Sequence, residues 1–373
     1  MKTKYGVWRV VLPVVVLAAI VLISYRQPPL SYLGGTQAQK AESKRDENRL
    51  TLVAPAGLFK GVSFEEVDKS LGKTVTISEF SNQQIIEKLS QSFSTDLVAF
   101  QSDYASRIYS RGLVQRVDTE QVKNVSTKFL DLPYARWAGF KTGSGPAYAV
   151  PYVARLIGIC ARSELVQTAN TWGMFWDARF RGRIGALSRE EMVFLAAVLR
   201  NVNLSSFGEN TEKTLEAVAP SCKQLIANDV RFYDNVSSML KDLESNRLDA
   251  VMISERDADE FTHRRTGFSF VEPKQGMVAF VYCLCVPVRV ANAEQSYALA
   301  SSLLAPSFAA SLFRAGVGLP LVGGIEDQLS QGEHSEYERQ LKSFNTAIVF
   351  PSLNMDAQQA LDDFVESLRA SKQ

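Results

Sequence analysis

Residues 50–100 read LTLVAPAGLFKGVSFEEVDKSLGKTVTISEFSNQQIIEKLSQSFSTDLVAF, in which short apolar runs alternate with amphipathic segments. The apolar runs have the length and composition of strands that are buried on both faces of a sheet, and they are Leu50–Ala54, Thr74–Ile77 and Asp96–Phe100. Strands that alternate with helices in this way form a parallel sheet with right-handed crossovers. The sequence therefore predicts an α/β fold that begins near residue 50.

The two amphipathic segments carry signals for helix boundaries. Ser63 with Glu66, and Ser81 with Gln84, match the capping-box pattern, in which two side chains satisfy the first backbone N–H groups of a helix. Gly72 stands where a left-handed C-cap would close the first helix. These signals predict one helix after Ser63 and a second after Ser81.

The rest of the chain predicts a second lobe of the same class. Further strands are expected at Gly182–Leu187, Val230–Tyr233, Ala250–Ile253 and Val278–Val286, and helices around Glu191–Arg200, Glu212–Asn228, Ser237–Ser245 and Asp356–Ala370. A chain of 373 residues also exceeds the usual size of a single core. Ligands bind such sheets at the carboxyl ends of the strands, so residues 54–57 and 101–104 are the first place to expect a site.

Composition argues against several classes of function. The 41 basic residues are scattered among 40 acidic ones, without the basic stripe of a nucleic-acid-binding surface. The four cysteines and two histidines lack metal-site spacing, and no cofactor is expected. The sequence has neither a Gly-rich phosphate loop nor a Gly-x-Ser-x-Gly motif, so it does not predict an enzyme. A disulfide between Cys160 and Cys222 stays possible in an oxidising compartment.

The amino terminus predicts the compartment. Basic residues precede an apolar run, Val10–Ser24, so residues 1–25 are expected to be a signal anchor or signal peptide that exports the body of the protein. No small-x-small cleavage site closely follows this run, which favours an uncleaved anchor. The run is short for a span of about 20 residues, which leaves cleavage open. Residues 26–49 are polar and predict a flexible tether.

Five stretches carry a resemblance to a known family. The most specific reads TWGMFWDARFRGRI at residues 171–184, and the others are DLVAF at 96–100, RGLVQ at 111–115, YAVPY at 148–152 and PKQG at 273–276. In this order they resemble the periplasmic spermidine/putrescine-binding proteins of bacterial ABC importers, which are type II extracellular solute-binding proteins. The resemblance extends over residues 50–324.

This resemblance implies two α/β lobes with parallel-rich sheets and a hinge, with crossovers near Arg155 and Phe280. Lobe 1 would comprise residues 50–155 and 281–326, and lobe 2 residues 156–280 and 327–373. The lobes would close over a small solute in the periplasm and deliver it to an ABC permease, with the protein anchored to the inner membrane. The alternative is a membrane-anchored accessory protein that senses a ligand for a membrane receptor.

The family register also assigns candidate ligand-binding residues. They are Pro55, Gln101, Asp103, Arg189, Met192, Ser254, Phe280, Tyr282 and Leu319, and a shift of one residue would bring in Ser102, Tyr104 and Glu255. Polyamine binders hold protonated amines with carboxylates and aromatic rings, and in this register three of those carboxylates are replaced. Tight binding of spermidine in the family's manner is therefore not expected, although Asp103 and Glu255 could still hold one amine.

Three arginines suggest a different ligand. Arg155 and Arg256 stand where the family has small residues, and Arg189 replaces an acid. A guanidinium matches two oxygens at once, so three arginines that face one cleft would suit a carboxylate or a phosphate. Alternatively, the arginines point outward or pair with the glutamates beside them, Glu190, Glu191 and Glu255. The predicted ligand is accordingly a polyamine or an anionic or zwitterionic solute.

Overall fold

The computed structural model describes residues 48–126, 129 and 147–370. The predicted anchor at residues 1–25, and the predicted tether up to residue 47, lie outside the described residues. Asn48–Gln373 is one compact unit. It contains the sheet and all the hydrophobic clusters set out below, so it has the parts that a domain needs to fold on its own.

One mixed sheet of ten strands organises the described part of the chain. The strands are β1 Arg49–Pro55, β2 Thr74–Phe80, β3 Leu97–Gln101, β4 Val150–Arg162, β5 Ile184–Ala186, β6 Arg231–Phe232, β7 Ala250–Ser254, β8 Phe268–Val271, β9 Val278–Cys285 and β10 Leu319–Pro320. Their order is β2-β1-β3-β9-β4-β7-β5-β6, and β8 and β10 pair with β4. β1 is parallel to β2 and β3, and β5 is parallel to β6 and β7. The long strands β4 and β9 are antiparallel to their neighbours and join the two parallel groups.

Helices cover this sheet. Within the described ranges the α-helices are α1 Glu65–Leu71, α2 Asn82–Ser90, α3 Ala105–Ser110, α4 Arg189–Leu199, α5 Ser206–Glu209, α6 Thr211–Ala227, α7 Val236–Glu244, α8 Glu255–Arg264, α9 Ala293–Leu303, α10 Pro306–Arg314, α11 Gln331–Asn345 and α12 Met355–Ala370. None of them alone has the length and apolar composition of a membrane span. The pair α9 and α10 passes that test together, with a bend of 55° between them.

Local signals set most of the helix ends. The capping box at Ser81 and Gln84 is confirmed, and Gly72 closes α1 in the left-handed region at φ 61°. The capping box predicted at Ser63 is wrong, because the N-cap of α1 is Phe64 and makes no side-chain capping bond. The Phe64 ring packs edge-on against Phe308 at 5.2 Å between ring centroids, so aromatic packing determines this helix start.

Buried side chains form three clusters. The first core joins β1, β3 and the start of β4 to α9, α10 and α11. The second core joins the end of β4 and β5 to α4, α6 and α12. A smaller third core lies among β7, α7 and α8 and contains Cys160. Cys222 lies in the second core and all four cysteines are free, so the structure has no Cys160–Cys222 disulfide.

Strands β4 and β9 contribute side chains to both cores. In β4 the first core ends at Leu156 and the second begins at Ile157. In β9 Val278, the register partner of Ile157, packs in the second core, whereas Met277 before it and Ala279 after it pack in the first. Arg155 is the register partner of Phe280. The two predicted crossovers therefore lie opposite each other.

One helix departs from the predicted division of the chain into lobes. The sequence places residues 327–373 in lobe 2, but α11 contributes Tyr337 and Phe344 to the first core. The residues of this segment that pack into the second core come after α11, from Ile348 onward, and include those of α12. The chain thus crosses between the cores once more, in the segment 346–354 that joins α11 to α12.

The stretch at residues 171–184 is structural. Trp172 has no exposed surface, and its indole Nε1–H donates to the Gly276 carbonyl at 2.9 Å. The Gln275 side-chain oxygen accepts from the backbone N–H of Trp172 at 3.1 Å. Two of the stretches that carry the family resemblance, residues 171–184 and 273–276, therefore hold each other in place.

Candidate functional site

The carboxyl ends of strands from both cores meet at one place. After β3 the chain makes a 3₁₀ turn, Ser102–Tyr104, and enters α3, which packs on the first core. After β5 the chain enters α4, whose N-cap Ser188 accepts a hydrogen bond from the backbone N–H of Glu191 at 3.3 Å. The turn and the first helical turn of α4 place the carboxyl groups of Asp103, Glu190 and Glu191 close enough to influence one another's ionisation. We call these three residues the acidic cluster.

The carboxyl groups of the acidic cluster resist ionisation. Burial raises the pKa of Asp103 to about 7, with a further contribution from the negative charge of Glu190 and an opposing one from Arg107. Burial, followed by the charges of Asp103 and Glu190, raises the pKa of Glu191 to about 8. Taking a charge out of water is costly, and like charges add to that cost. A positive charge placed among these groups would relieve both effects.

Two polar atoms at the acidic cluster have no partner in the described part of the chain. They are the Asp103 Oδ1 and the Arg107 Nε, both of which are buried. The Arg107 guanidinium lies 4.0 Å from the centre of the Tyr104 ring. Buried polar groups are nearly always satisfied in native proteins, so unpaired ones indicate a place where water or a ligand is held.

Aromatic side chains adjoin the acidic cluster. Tyr282 on β9 is the register partner of Gln101, and the charges of Asp103 and Glu191 help to raise its pKa, after burial. Phe280, two residues earlier, packs against both the first and the second core. The carboxylates thus lie beside rings from the strand that joins the two cores.

A cavity of about 580 Å³ contains other predicted residues. Arg155, Ser254, Glu255, Arg256 and Leu319 line it, between α8, α10 and α11. The Arg155 Nε donates to the Val317 carbonyl at 3.0 Å and its Nη2 to the Gly57 carbonyl at 3.2 Å, so backbone groups occupy those donors. Glu255 forms an ion pair with Arg339 of α11, rather than with the neighbouring Arg256. This pair links a helix of the first core to a helix of the third.

The expectation that three arginines face one cleft is wrong. Arg189 lies 4.2 Å over the ring of Phe232 and lines a separate apolar cavity that contains neither Arg155 nor Arg256. Arg189 is the first residue of α4, and the two residues that follow it, Glu190 and Glu191, lie on the side of the helix near Asp103. The Arg189 side chain therefore lies on a different side of α4 from Asp103.

The other predicted residues have structural positions. Met192 has no exposed surface and belongs to the second core, and Leu319 is also fully buried. Ser254 caps α8, since its Oγ accepts from the backbone N–H of Asp257 at 3.2 Å. Pro55 and Ser102 are buried at the ends of β1 and β3.

Sequence reasoning missed the acidic cluster as a group. The family register places Arg189 and Met192 at the acidic positions, and the expectation that the site lacks carboxylates followed from that register. Glu190 and Glu191, which lie between these two positions, are close enough to Asp103 for their charges to affect one another's pKa. The sequence did contain a signal for these two glutamates. Both follow the carboxyl end of β5 and occupy the first turn of a helix, which is where ligands bind in such sheets.

The chain matches known proteins over most of its length. The family described as bacterial extracellular solute-binding protein matches residues 63–328, well over half of the 373 residues. The spermidine/putrescine-binding periplasmic protein of Escherichia coli K12 is 26% identical over 269 residues, which cover 69% of this chain and 72% of that protein.

Solved structures share the fold. A spermidine/putrescine ABC transporter substrate-binding protein from Streptococcus pneumoniae superimposes with a TM-score of 0.68 and 14% identity, covering 87% of this chain and 100% of that one. Iron-bound HitA from Pseudomonas aeruginosa superimposes with a TM-score of 0.59 and 12% identity, covering 86% of this chain and 98% of that one. These structures confirm the type II periplasmic binding protein fold. The chain therefore belongs to the bacterial extracellular solute-binding proteins, within the polyamine-type family of ABC importers.

Proposed function

We propose that this chain binds a small protonated diamine or polyamine between its lobes and passes it to an ABC permease. The observation that carries the proposal is the acidic cluster, in which Asp103 from the first lobe meets Glu190 and Glu191 from the second. A ligand that contacts both lobes stabilises the closed state, which is how such proteins couple binding to hinge closure. The binding involves no covalent chemistry.

Charge favours a cationic ligand at this place. Asp103 and Glu191 both have a raised pKa, and the buried Asp103 Oδ1 has no hydrogen-bond partner in the described ranges. An ammonium group supplies positive charge and N–H donors together, and charge-assisted hydrogen bonds of this kind are the strong ones. An anion would instead oppose the ionisation of these carboxyl groups still further.

The aromatic side chains suit the rest of such a ligand. The charges of the acidic cluster help to raise the pKa of Tyr104 and of Tyr282, so both side chains lie near it, and Phe280 is two residues before Tyr282 on β9. Their rings can pack against the methylene groups between two amines. A short alkyl chain with a cationic nitrogen therefore fits both components of the site.

We propose further that residues 1–25 stay uncleaved and hold the binding unit at the outer face of the inner membrane. The support is the basic-then-apolar order at the amino terminus and the lack of a nearby small-x-small motif. In this arrangement the hinge lies near the register partners Arg155 and Phe280, beside the point where β4 changes cores. Permanent attachment suits delivery to a permease, and it equally suits a sensing accessory that docks on a receptor.

A ligand panel tests the proposal. The unit Asn48–Gln373 would be titrated by calorimetry and by thermal unfolding with putrescine, spermidine, succinate and phosphate. We expect the two amines to bind and, at a hundredfold excess over Kd, to add about 2.7 kcal/mol to the free energy of unfolding. The two anions should add nothing. Stabilisation by succinate or phosphate without stabilisation by either amine would contradict the proposal.

A further inference from the structure

A second cavity, of about 480 Å³, lies in the second lobe and contains no member of the acidic cluster. Its walls come from α4, α6 and the end of α12 and are formed mainly by apolar side chains, among them Val193, Leu225, Ile226 and Val230. Most of these side chains belong to the second core, so the cavity opens into the apolar interior of the lobe. Such a space accommodates an alkyl chain.

Two arginines stand at this apolar cavity. Arg189 lies over the Phe232 ring, and Arg369 comes from the last turn of α12. Burial and the nearby charge of Arg369 lower the pKa of Arg189, whereas the charge of Glu366 opposes that effect. Glu366 forms an ion pair with Arg369, and within the described ranges no carboxylate forms an ion pair with Arg189. Arg189 and Arg369 therefore both line this apolar space, and Glu366 pairs with Arg369.

We propose that this cavity binds a linear medium-chain monocarboxylate. The alkyl chain would lie among Val193, Leu225 and Ile226, and the carboxylate would lie between Arg189 and Arg369. The planar guanidinium binds a carboxylate through two parallel hydrogen bonds, and a second arginine adds further attraction. An amine would be repelled by the arginines, and a neutral alcohol would leave Arg189 without a counter-charge.

The test is a calorimetric titration of Asn48–Gln373 with butanoate, hexanoate and octanoate, and with octan-1-ol and octylamine for comparison. Each added methylene of the carboxylates should strengthen binding about fourfold, which is the effect of burying one CH₂ group. Octanoate should bind at least tenfold more tightly than the alcohol or the amine. Arg189→Gln and Arg369→Gln should each weaken octanoate binding about tenfold.

Two further variants separate this site from general loss of structure. Ile226→Trp should fill the cavity and abolish octanoate binding while spermidine binding and the thermal midpoint stay the same. Arg200→Gln, at the exposed far end of α4, should leave octanoate binding unchanged. Equal affinity for octanoate and octan-1-ol, or unchanged octanoate binding in both Ile226→Trp and Arg189→Gln, would overturn the proposal.

Discussion

Replacing Asp103 by Asn and Glu191 by Gln together should weaken spermidine binding about a thousandfold. Each change removes a charge-assisted hydrogen bond, which contributes about 1.5–3 kcal/mol in a desolvated site. Two such losses amount to about 3–6 kcal/mol, since 1.4 kcal/mol is a factor of ten in Kd. The two side chains come from different lobes, so their removal also takes away the contacts that hold the closed state.

Calorimetry on the double variant and on each single variant measures this effect. Thermal unfolding provides the check on folding, and we expect the ligand-free double variant to be at least as stable as the parent, because neutral amides replace groups that are costly to ionise where they lie. Glu212→Gln, on the exposed surface of α6, is the matched control and should bind normally. Undiminished spermidine binding in a folded double variant would remove the acidic cluster from the site.

Trp172→Ala should lower the free energy of unfolding by about 3–5 kcal/mol, the usual cost of truncating a large buried aromatic side chain. The Trp172 side chain is fully buried, packs against Phe175 at 5.9 Å between ring centroids, and donates its indole hydrogen to Gly276. Gly276 has little room to adjust. It has φ 92°, and a Cβ there would lie 2.4 Å from the Thr346 carbonyl oxygen.

Denaturant unfolding of Asn48–Gln373 measures this loss. Trp172→Phe keeps much of the packing but loses the indole N–H, so it should fall between Trp172→Ala and the parent. Val288→Ala, at a residue that is 51% exposed, should change stability by less than about 0.5 kcal/mol. A loss below about 1 kcal/mol for Trp172→Ala would show that this stretch does not have the structural role assigned to it.

The elements with strong local signals were predictable from sequence. The strand at Leu50–Ala54 is present with one residue more at each end, and α12 begins one residue before the predicted Asp356. These segments combine a clear hydrophobic period with boundary residues. Their local preferences agree with their tertiary positions, so propensity alone identifies them.

Two parts of the fold depend on contacts that the sequence does not display. The continuous strand β4, Val150–Arg162, is nearly all buried and contains Pro151, so it has no alternation to mark it as a strand. Antiparallel pairing with β7 and β9 holds this segment in its strand conformation. The residue at the start of α1, Phe64, similarly packs against Phe308, which is distant in sequence.

The candidate site was predicted in part. The carboxyl-end argument selected residues 101–104, and Asp103 and Tyr104 lie at the acidic cluster. The opposing residues were assigned through the family register, which selected Arg189 and Met192, one residue to either side of the glutamates that face Asp103. A helix turns each residue by about 100°, so an error of one position exchanges a cleft side chain for a core or surface one.

We expect a protonated amine to bind among carboxyl groups that are partly protonated when no ligand is present. With a pKa of about 7 for Asp103 and about 8 for Glu191, the free protein holds protons on both groups near neutral pH. A bound cation favours the ionised carboxylates, so binding should release protons. Amines with a pKa near 10 stay charged throughout this range, so the released protons come from the protein.

The most direct test is calorimetry of spermidine binding to Asn48–Gln373 at pH 7 in buffers of different ionisation enthalpy, repeated between pH 6 and pH 8. We expect about 1.4 protons to be released for each spermidine bound at pH 7, and the affinity to fall about tenfold from pH 8 to pH 7 and about fiftyfold from pH 7 to pH 6. Tight binding without proton release, and with the same affinity at pH 6 and pH 8, would contradict the account.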